Sequence, residues 1–261
     1  MDGRAEALEG RVAIVTGGGS GIGRASALAL AKSGARLVIG NRSEDAGEET
    51  VRQISDGGGE AVFQKTDVSE EGDVQALVKR AVDEFGRLDL AFNNAGVTGE
   101  DAPLAEQTAE NFDFTFAVNV RGVFLCMKYE IEQMLEGGEG GRIVNNISIN
   151  GFKNVFPGQG IYTASKHAVI GLTQAAAMEY AEQGIRVNAV APGPIRTDML
   201  EEAGEETIQQ VSGSLPTGRI GNPEEIAEAV LWLCSDGASF VSGHTLVVDG
   251  GFLAQGLVIE Q

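Results

Sequence analysis

Cysteine is scarce in this chain: 261 residues hold only Cys126 and Cys234, both in apolar stretches and without a CxxC spacing. That excludes a disulfide scaffold and predicts two free thiols, buried as small hydrophobes in a reducing compartment. Histidine is as rare. His167 and His244 show no HxH or HExxH spacing, so an imidazole metal site, and with it a metal-dependent hydrolase, is not expected. Basic residues number 19 against 38 acidic ones, for a formal charge of −19, and only six of the 19 are lysines. Such a surface repels a phosphate backbone, which argues against a nucleic-acid partner. It also suggests tolerance of high salt, where screening relieves self-repulsion. No apolar run approaches the ~18 residues of a membrane span, and Met1–Arg11 is charged, so no membrane partner is expected and the cytoplasm is the default location.

Hydrophobic residues are plentiful at 43%, enough for a full core. Glycine is in excess, with 37 residues and no collagen period, about twice the usual ~7%. Short β-branched runs alternate with helix-length segments: Arg11–Thr16, Arg36–Asn41, Glu60–Thr66, Leu88–Asn93, Arg142–Ser148, Ile185–Ala191 and Thr245–Val248. Strands joined by helical crossovers pair in parallel, so the pattern predicts an α/β, doubly wound, seven-stranded parallel sheet with helices on both faces. Ser43-Glu44-Asp45 opens a helix over Ala46–Ser55, and Asn222-Pro223-Glu224-Glu225 opens one over Ile226–Cys234. The acidic stretch Ser69–Asp73 fits a solvated helix start. Glu201–Glu206 fits loop surface, or the border of a substrate entrance. No linker or repeat divides the chain, so residues 1–261 are expected to form a single domain.

The first strand runs into Thr16-Gly17-Gly18-Gly19-Ser20-Gly21-Ile22-Gly23, with a helix expected from about Arg24 to Ser33. A strand, a glycine turn and a helix N-terminus make an anion cradle: backbone approaches a pyrophosphate closely, and free N–H groups favour its charge. The usual GxGxxG does not match in any register. What matches is Gly17, Gly21 and Gly23. A carboxylate that reads the adenosine ribose of NAD is expected at the end of the second strand, but Asn41-Arg42 stand there. Without a repelling acid, and with a guanidinium able to pair a 2′-phosphate, NADP is the preferred cofactor and NAD the alternative.

Tyr162-Thr163-Ala164-Ser165-Lys166 opens a helix expected to reach about Glu182, and a spacing of four places Tyr162 and Lys166 on one face. An ammonium beside a phenol favours phenolate, and a tyrosine so tuned exchanges protons near neutral pH. Ser148 ends the fifth strand, at the carboxyl edge where open α/β sheets bind ligands. Asn119 lies within a helical segment, a poor place for asparagine unless its side chain is engaged.

Taken together, Thr16-Gly17…Gly21-Ile22-Gly23, Asn93-Asn94-Ala95-Gly96, Asn119, Ser148, Tyr162…Lys166 and Pro192-Gly193-Pro194-Ile195-Arg196-Thr197 resemble the short-chain dehydrogenase/reductase family, from Leu8 to Phe252. The resemblance implies a Rossmann-like sheet of order 3-2-1-4-5-6-7, a nicotinamide dinucleotide, carbonyl/alcohol interconversion and a homotetramer. It implies Tyr162 as general acid/base, Ser148 as the group that orients the substrate oxygen, and Lys166 as the residue that lowers the tyrosine pKa and holds the nicotinamide ribose. Asn119 would bind a water linking Lys166 to solvent. Gly17, Ser20, Gly21, Ile22 and Gly23 would cradle the cofactor, with Asn41 and Arg42 at its adenosine ribose and Asp67 and Val68 at its adenine. Asn94, Ala95, Gly96, Pro192, Gly193, Ile195 and Thr197 would line the rest. The two-fold contacts of the tetramer would involve the helices around Asn111–Leu135 and Tyr162–Glu182, with the apolar tail Gly243–Gln261 buried in a neighbour.

Three features depart from the family pattern. Ser148 and Tyr162 are 14 residues apart, one more than the pattern, so the loop Gly151–Gly160 carries an extra residue. Asn150 stands where a small residue is expected, and Asn146 makes the strand end rich in amides. Asn41 replaces the acid of NAD-dependent members. The expected function is interconversion of a ketone and a secondary alcohol by hydride transfer. The alternative is a non-catalytic dinucleotide-binding sensor or scaffold, which would be expected to lose Tyr, Lys or Ser. The segment Asp198–Gly218 is expected to form a flap whose Met199, Leu200, Ile208, Val211 and Leu215 admit an apolar substrate without naming one.

Overall fold

The computed structural model describes residues 8–153, 156–197, 200 and 204–255. Seven strands, β1 (Val12–Thr16), β2 (Arg36–Asn41), β3 (Ala61–Lys65), β4 (Leu90–Asn93), β5 (Gly141–Asn146), β6 (Ile185–Pro192) and β7 (Thr245–Val248), form one sheet in the order β3-β2-β1-β4-β5-β6-β7. Every neighbouring pair is parallel. The fold class and strand order agree with the expectation. Helices with described bounds are α1 (Gly21–Lys32), α2 (Glu44–Asp56), α3 (Glu71–Phe85), α4 (Ala109–Phe116), α5 (Val123–Gly137), α6 (Gly160–Glu179), α7 (Glu205–Ser214) and α8 (Pro223–Cys234).

Both sheet faces are covered, which is why the central strands read as unbroken apolar runs. In β1, Val12 and Ile14 point into one core with α3, α5 and α6, whereas Ala13 and Val15 point into the other with α1, α2 and α8. Leu30 of α1 and Ile226, Val230 and Leu233 of α8 are almost fully buried in the second core. Truncating any one of these to alanine would cost about 2–5 kcal/mol. Cys126 and Cys234 are free and buried, and burial pushes both thiols up, Cys234 to about 12. They are packing residues.

Several boundaries differ from the sequence reading for local reasons. Helix α1 starts at Gly21 rather than Arg24, because the Arg24 amide already donates to the Ser20 carbonyl at 3.0 Å. Helix α6 starts two residues before Tyr162, closed by Thr163 N–H to the Gln159 carbonyl at 2.9 Å. It stops at Glu179, short of Glu182, where a 3-10 turn (Ala181–Gln183) leads to Gly184 at φ +75°. Strand β5 ends at Asn146, two residues before Ser148, although the Ile147 amide still reaches the Val190 carbonyl at 2.9 Å. Helices α4 and α5 are joined by a π-helical turn, Ala117–Gly122, that contains Asn119. Ile208 and Leu215 of the expected flap form a small core with Ile220 just beyond it, packed by Leu200, Val211 and Phe252. Met199, Glu201 and the tail residues Leu257–Ile259 lie outside the described residues. No helix among the described residues is long and apolar enough to cross a membrane.

Candidate active site

The sheet order reverses direction between β1 and β4, and parallel register brings Thr16 beside Asn93 and Asn93 beside Asn145 at the same edge. Such a reversal opens a crevice at the carboxyl ends of the strands. The glycine turn after β1 lies at this edge. Gly17 and Gly21 adopt φ +61° and +49°, which L side chains rarely do. A Cβ at Gly17 would stand 2.9 Å from Ala95 Cα, and one at Gly23 would stand 2.1 Å from the Gly17 carbonyl oxygen. Gly23 thus packs the first turn of α1 onto the turn before it. Ser20 precedes α1 in extended conformation and makes no side-chain cap, so the first N–H groups of the helix lack a side-chain partner. Thr50 of α2 holds the turn from behind, donating to the Gly18 carbonyl at 2.9 Å.

Hydrogen bonds link this turn to the opposite wall of the crevice. Thr16 Oγ1 accepts from the amides of Asn94 (3.0 Å) and Ala95 (3.2 Å), while Asn94 Nδ2 donates to the carbonyls of Thr16 and Gly17, both at 3.1 Å. Asn146 Nδ2 donates to Asn94 Oδ1 at 2.8 Å, and Lys166 Nζ donates to the Asn146 carbonyl at 3.0 Å. Asn146 Oδ1 is buried without a partner. The amide-rich strand end noted in the sequence is therefore the bridge between glycine turn and lysine.

Tyr162 and Lys166 share a face of α6, with Nζ 5.5 Å from the phenol ring centroid. Burial pushes the Tyr162 phenol up, against the opposing effect of the Ser148 side chain, and burial pushes the Lys166 ammonium down to about 8. The direction for Tyr162 is opposite to the lowering expected from the lysine. Nζ is turned toward the Asn146 carbonyl, and desolvation of the phenol outweighs an ammonium that is itself desolvated.

Asn119 has its amide engaged: Nδ2 donates to the Val97 carbonyl (2.8 Å) and Ser165 Oγ (3.0 Å), and Oδ1 accepts from the Val97 amide (2.8 Å). It ties the irregular segment after Gly96 to α6. A Cβ at Gly96 would lie 3.2 Å from Asn119 Oδ1 and 3.4 Å from Lys166 Nζ, so glycine keeps the space beside the lysine open.

At the outer end of the crevice, Asn41 Nδ2 donates to the Ser43 carbonyl at 2.9 Å and packs against Gly19, and Arg42 is exposed. Asp67 accepts from the Ser69 amide (3.0 Å) and hydroxyl (2.7 Å); Val68 is buried against Val118, Leu125 and Cys126. After β6, which includes Pro192, Gly193 fits closely: a Cβ there would stand 2.7 Å from Asp249 Cα. Ile195 is buried and bridged to Gly221, and Thr197 Cγ2 would lie 3.2 Å from a Cβ at Gly21. The predicted residues from β1, β4, β5, α6 and the segment after β6 thus lie at the same carboxyl edge of the sheet, with Asn41, Arg42, Asp67 and Val68 at and after the ends of β2 and β3. Glu130, Gln159 and Asp101 were not read from the sequence. Glu130 was legible in principle, since it falls on the apolar face of α5 with Met127, Ile131 and Met134.

The crevice fits a dinucleotide: glycines that leave no room for side chains, a start of α1 that Ser20 leaves without a side-chain cap, an unpartnered Asn146 Oδ1 and the Lys166 ammonium. Among the described residues no group of His, Cys, Asp and Glu is arranged to hold a metal ion.

Comparison with known proteins agrees with this geometry. A family model described as Enoyl-(Acyl carrier protein) reductase matches residues 17–253. The chain is 46% identical over 250 residues to a 2,5-dichloro-2,5-cyclohexadiene-1,4-diol dehydrogenase of Sphingobium indicum, covering 95% of this chain and 98% of that protein. It belongs to the short-chain dehydrogenase/reductase family. A cyclohexanol dehydrogenase of Acinetobacter sp. is 43% identical, covering 94% of this chain and 96% of that protein. The crystal structure of a levodione reductase superposes with a TM-score of 0.91 at 38% identity, covering 95% of this chain and 99% of that one. This short-chain dehydrogenase/reductase is an oxidoreductase acting between CH–OH and C=O with a nicotinamide dinucleotide. No finding favours the non-catalytic sensor or scaffold.

Proposed function

We propose that the chain oxidises a secondary alcohol on a six-membered carbocyclic ring, or reduces the matching ketone, with NADP preferred over NAD. The carrying observation is Tyr162 and Lys166 on one face of α6, with Nζ 5.5 Å from the phenol ring centroid and the Ser148 side chain acting on the phenol, beside the glycine turn. The ring is suggested by the diol and cyclohexanol substrates that name two relatives. Tyr162 exchanges its phenolic proton with the substrate oxygen, and Ser148 donates to that oxygen and holds it in line. Lys166 holds the nicotinamide ribose and supplies the positive charge that a phenolate needs. The bound dinucleotide supplies the hydride donor or acceptor. Gly17, Ser20, Gly21, Ile22 and Gly23 hold its pyrophosphate, and Asn94, Ala95, Gly96, Pro192, Gly193, Ile195 and Thr197 its nicotinamide half. Asp67 and Val68 take the adenine. A water between Asn119 and Lys166 would use the Asn119 backbone carbonyl, since the side chain is engaged and a π-turn loosens the regular carbonyl pairing.

The exposed Arg42 and the carboxylate-free end of β2 support NADP. We further propose one domain over residues 1–261, a cytoplasmic location and a homotetramer. Exposed Phe112, Phe114 and Phe124 on α4 and α5 and Met178 on α6 support burial of those faces in a neighbour. Tyr162→Phe is expected to keep dinucleotide binding and lose turnover on cyclohexanol-type alcohols; near-wild-type turnover would overturn the assignment. Fluorescence titration with NADPH and NADH separately tests the cofactor, and tighter NADH binding would overturn the reading of Asn41 and Arg42.

A further inference from the structure

The extra residue between Ser148 and Tyr162 lengthens the chain between the two hydroxyls that must meet. Chain connectivity alone does not fix the separation of two side chains 14 residues apart. Asn150 lies in the 3-10 turn that follows Ser148 and is 2% exposed. Its backbone N–H donates to Ser148 Oγ at 3.2 Å, and its side-chain Nδ2 donates to Gln159 Oε1 at 3.0 Å. Gln159 is the N-cap of α6, three residues before Tyr162, and its Nε2 donates to Asp101 Oδ2 at 3.4 Å. Beside this runs a second tie, in which the Gly158 carbonyl accepts from the Ala102 amide and Gln107 Nε2, both at 3.2 Å. The turn carrying the serine, the helix carrying the tyrosine and the loop after β4 are thereby fastened together.

We propose that Asn150 and Gln159 form a side-chain strap that sets the separation of Ser148 and Tyr162, with Asp101 as its outer anchor, and that both are positioning residues for proton transfer. Burying the Asn150 amide has a desolvation cost that a small residue would not carry, and the bond to Gln159 offsets it. What the bond adds is a fixed distance across the lengthened loop. Small errors in the placement of reacting groups lower rates steeply. The inference rests on the roles proposed above for Ser148 and Tyr162.

The test uses the full-length enzyme with cyclohexanol and NADP, or NAD if the titration prefers it. Asn150→Ala is expected to lower kcat by about tenfold, a modest displacement of reacting groups, with dinucleotide affinity within about twofold of wild type by fluorescence. The limb of the pH–kcat profile that reports Tyr162 should move to higher pH, because the Ser148 side chain that lowers the phenol is set further from it. Gln159→Ala should do the same, and the double variant should be no worse than either single one. Gln159 is only part-buried, so this variant carries the test if Asn150→Ala does not fold. Combining Asp101→Asn with Gln159→Glu reverses donor and acceptor at the outer bond, keeps the acceptor for Asn150, and should return kcat to near wild type. Additive losses, an unmoved pH limb or a failed rescue would overturn the strap. Tyr162→Phe, run in parallel, separates the two readings. An active Tyr162→Phe enzyme sinks the site assignment, whereas an inactive one beside a fully active Asn150→Ala sinks the strap alone.

Discussion

Glu130 offers a sharp test of how burial and charge compete in this fold. Its carboxyl is 1% exposed on the inner face of α5, and its one hydrogen bond is from Asn93 Nδ2 at 3.0 Å. Asn93 Nδ2 is shared with Asn145 Oδ1 at 3.1 Å, and Asn145 Nδ2 continues to Thr173 Oγ1 at 2.9 Å. With no cation among the described residues to offset desolvation, burial pushes Glu130 up to about 7 from the ordinary 4.5. A carboxyl raised on folding binds its proton more tightly in the folded state. Its contribution is therefore fully present below about pH 4.5, falls as pH rises, and is lost above about pH 7. The difference corresponds to about 3 kcal/mol. Glu130→Gln removes the titration while keeping an acceptor for Asn93. Urea and thermal unfolding of both proteins at pH 5.5, 7 and 8.5, in constant KCl, should give curves that diverge with pH. At pH 8.5 the variant should be the more stable, by up to about 3 kcal/mol or roughly 5–10 °C for a chain of this size. Because the other carboxylates titrate in both proteins, the comparison isolates this one. Parallel pH–stability curves would refute the reasoning.

Three further outcomes are expected. Gly23→Ala places a methyl 2.1 Å from the Gly17 carbonyl oxygen, and overpacking of about 1–3 kcal/mol should weaken dinucleotide binding at least about tenfold; unchanged affinity by fluorescence titration would contradict the cradle. Because burial raises Tyr162, alcohol oxidation, which needs the deprotonated phenol, should rise with pH while ketone reduction falls. Lys166→Met should move both limbs to higher pH, and steady-state rates across pH 6–10 test it. With a formal charge of −19, the melting temperature should climb as KCl is added from low salt; a monotonic fall would argue against a salt-tolerant surface.

Much of the fold was legible because each strand is short, apolar and separated from the next by a helix-length segment. The ends were less so. Helix α1 begins at Gly21 because the glycine turn folds back on the helix, an approach visible only once Gly17 and Gly23 are seen in contact. Ser148, Tyr162 and Lys166 were identifiable by spacing, but spacing says nothing of how desolvation acts on them. It raised the phenol where a neighbouring lysine alone predicts lowering. Glu130 shows the same limit, since an acid at a buried helical position is visible in sequence while its pairing with Asn93 across 37 residues is not.

Hydrophobic period and glycine placement, which are local properties of the chain, determined the parallel sheet and the glycine cradle, while the strand order and the groups that meet at the sheet edge followed from the family resemblance of the motifs. Only the tertiary structure decided that Asn94 and Asn146 bridge the cradle to Lys166, that Asn119 is spent on Val97 and Ser165, and that Asn150 and Gln159 span the lengthened loop. Those bonds join residues far apart in sequence through buried amides, whose partners are set by register and packing rather than by any pattern along the chain.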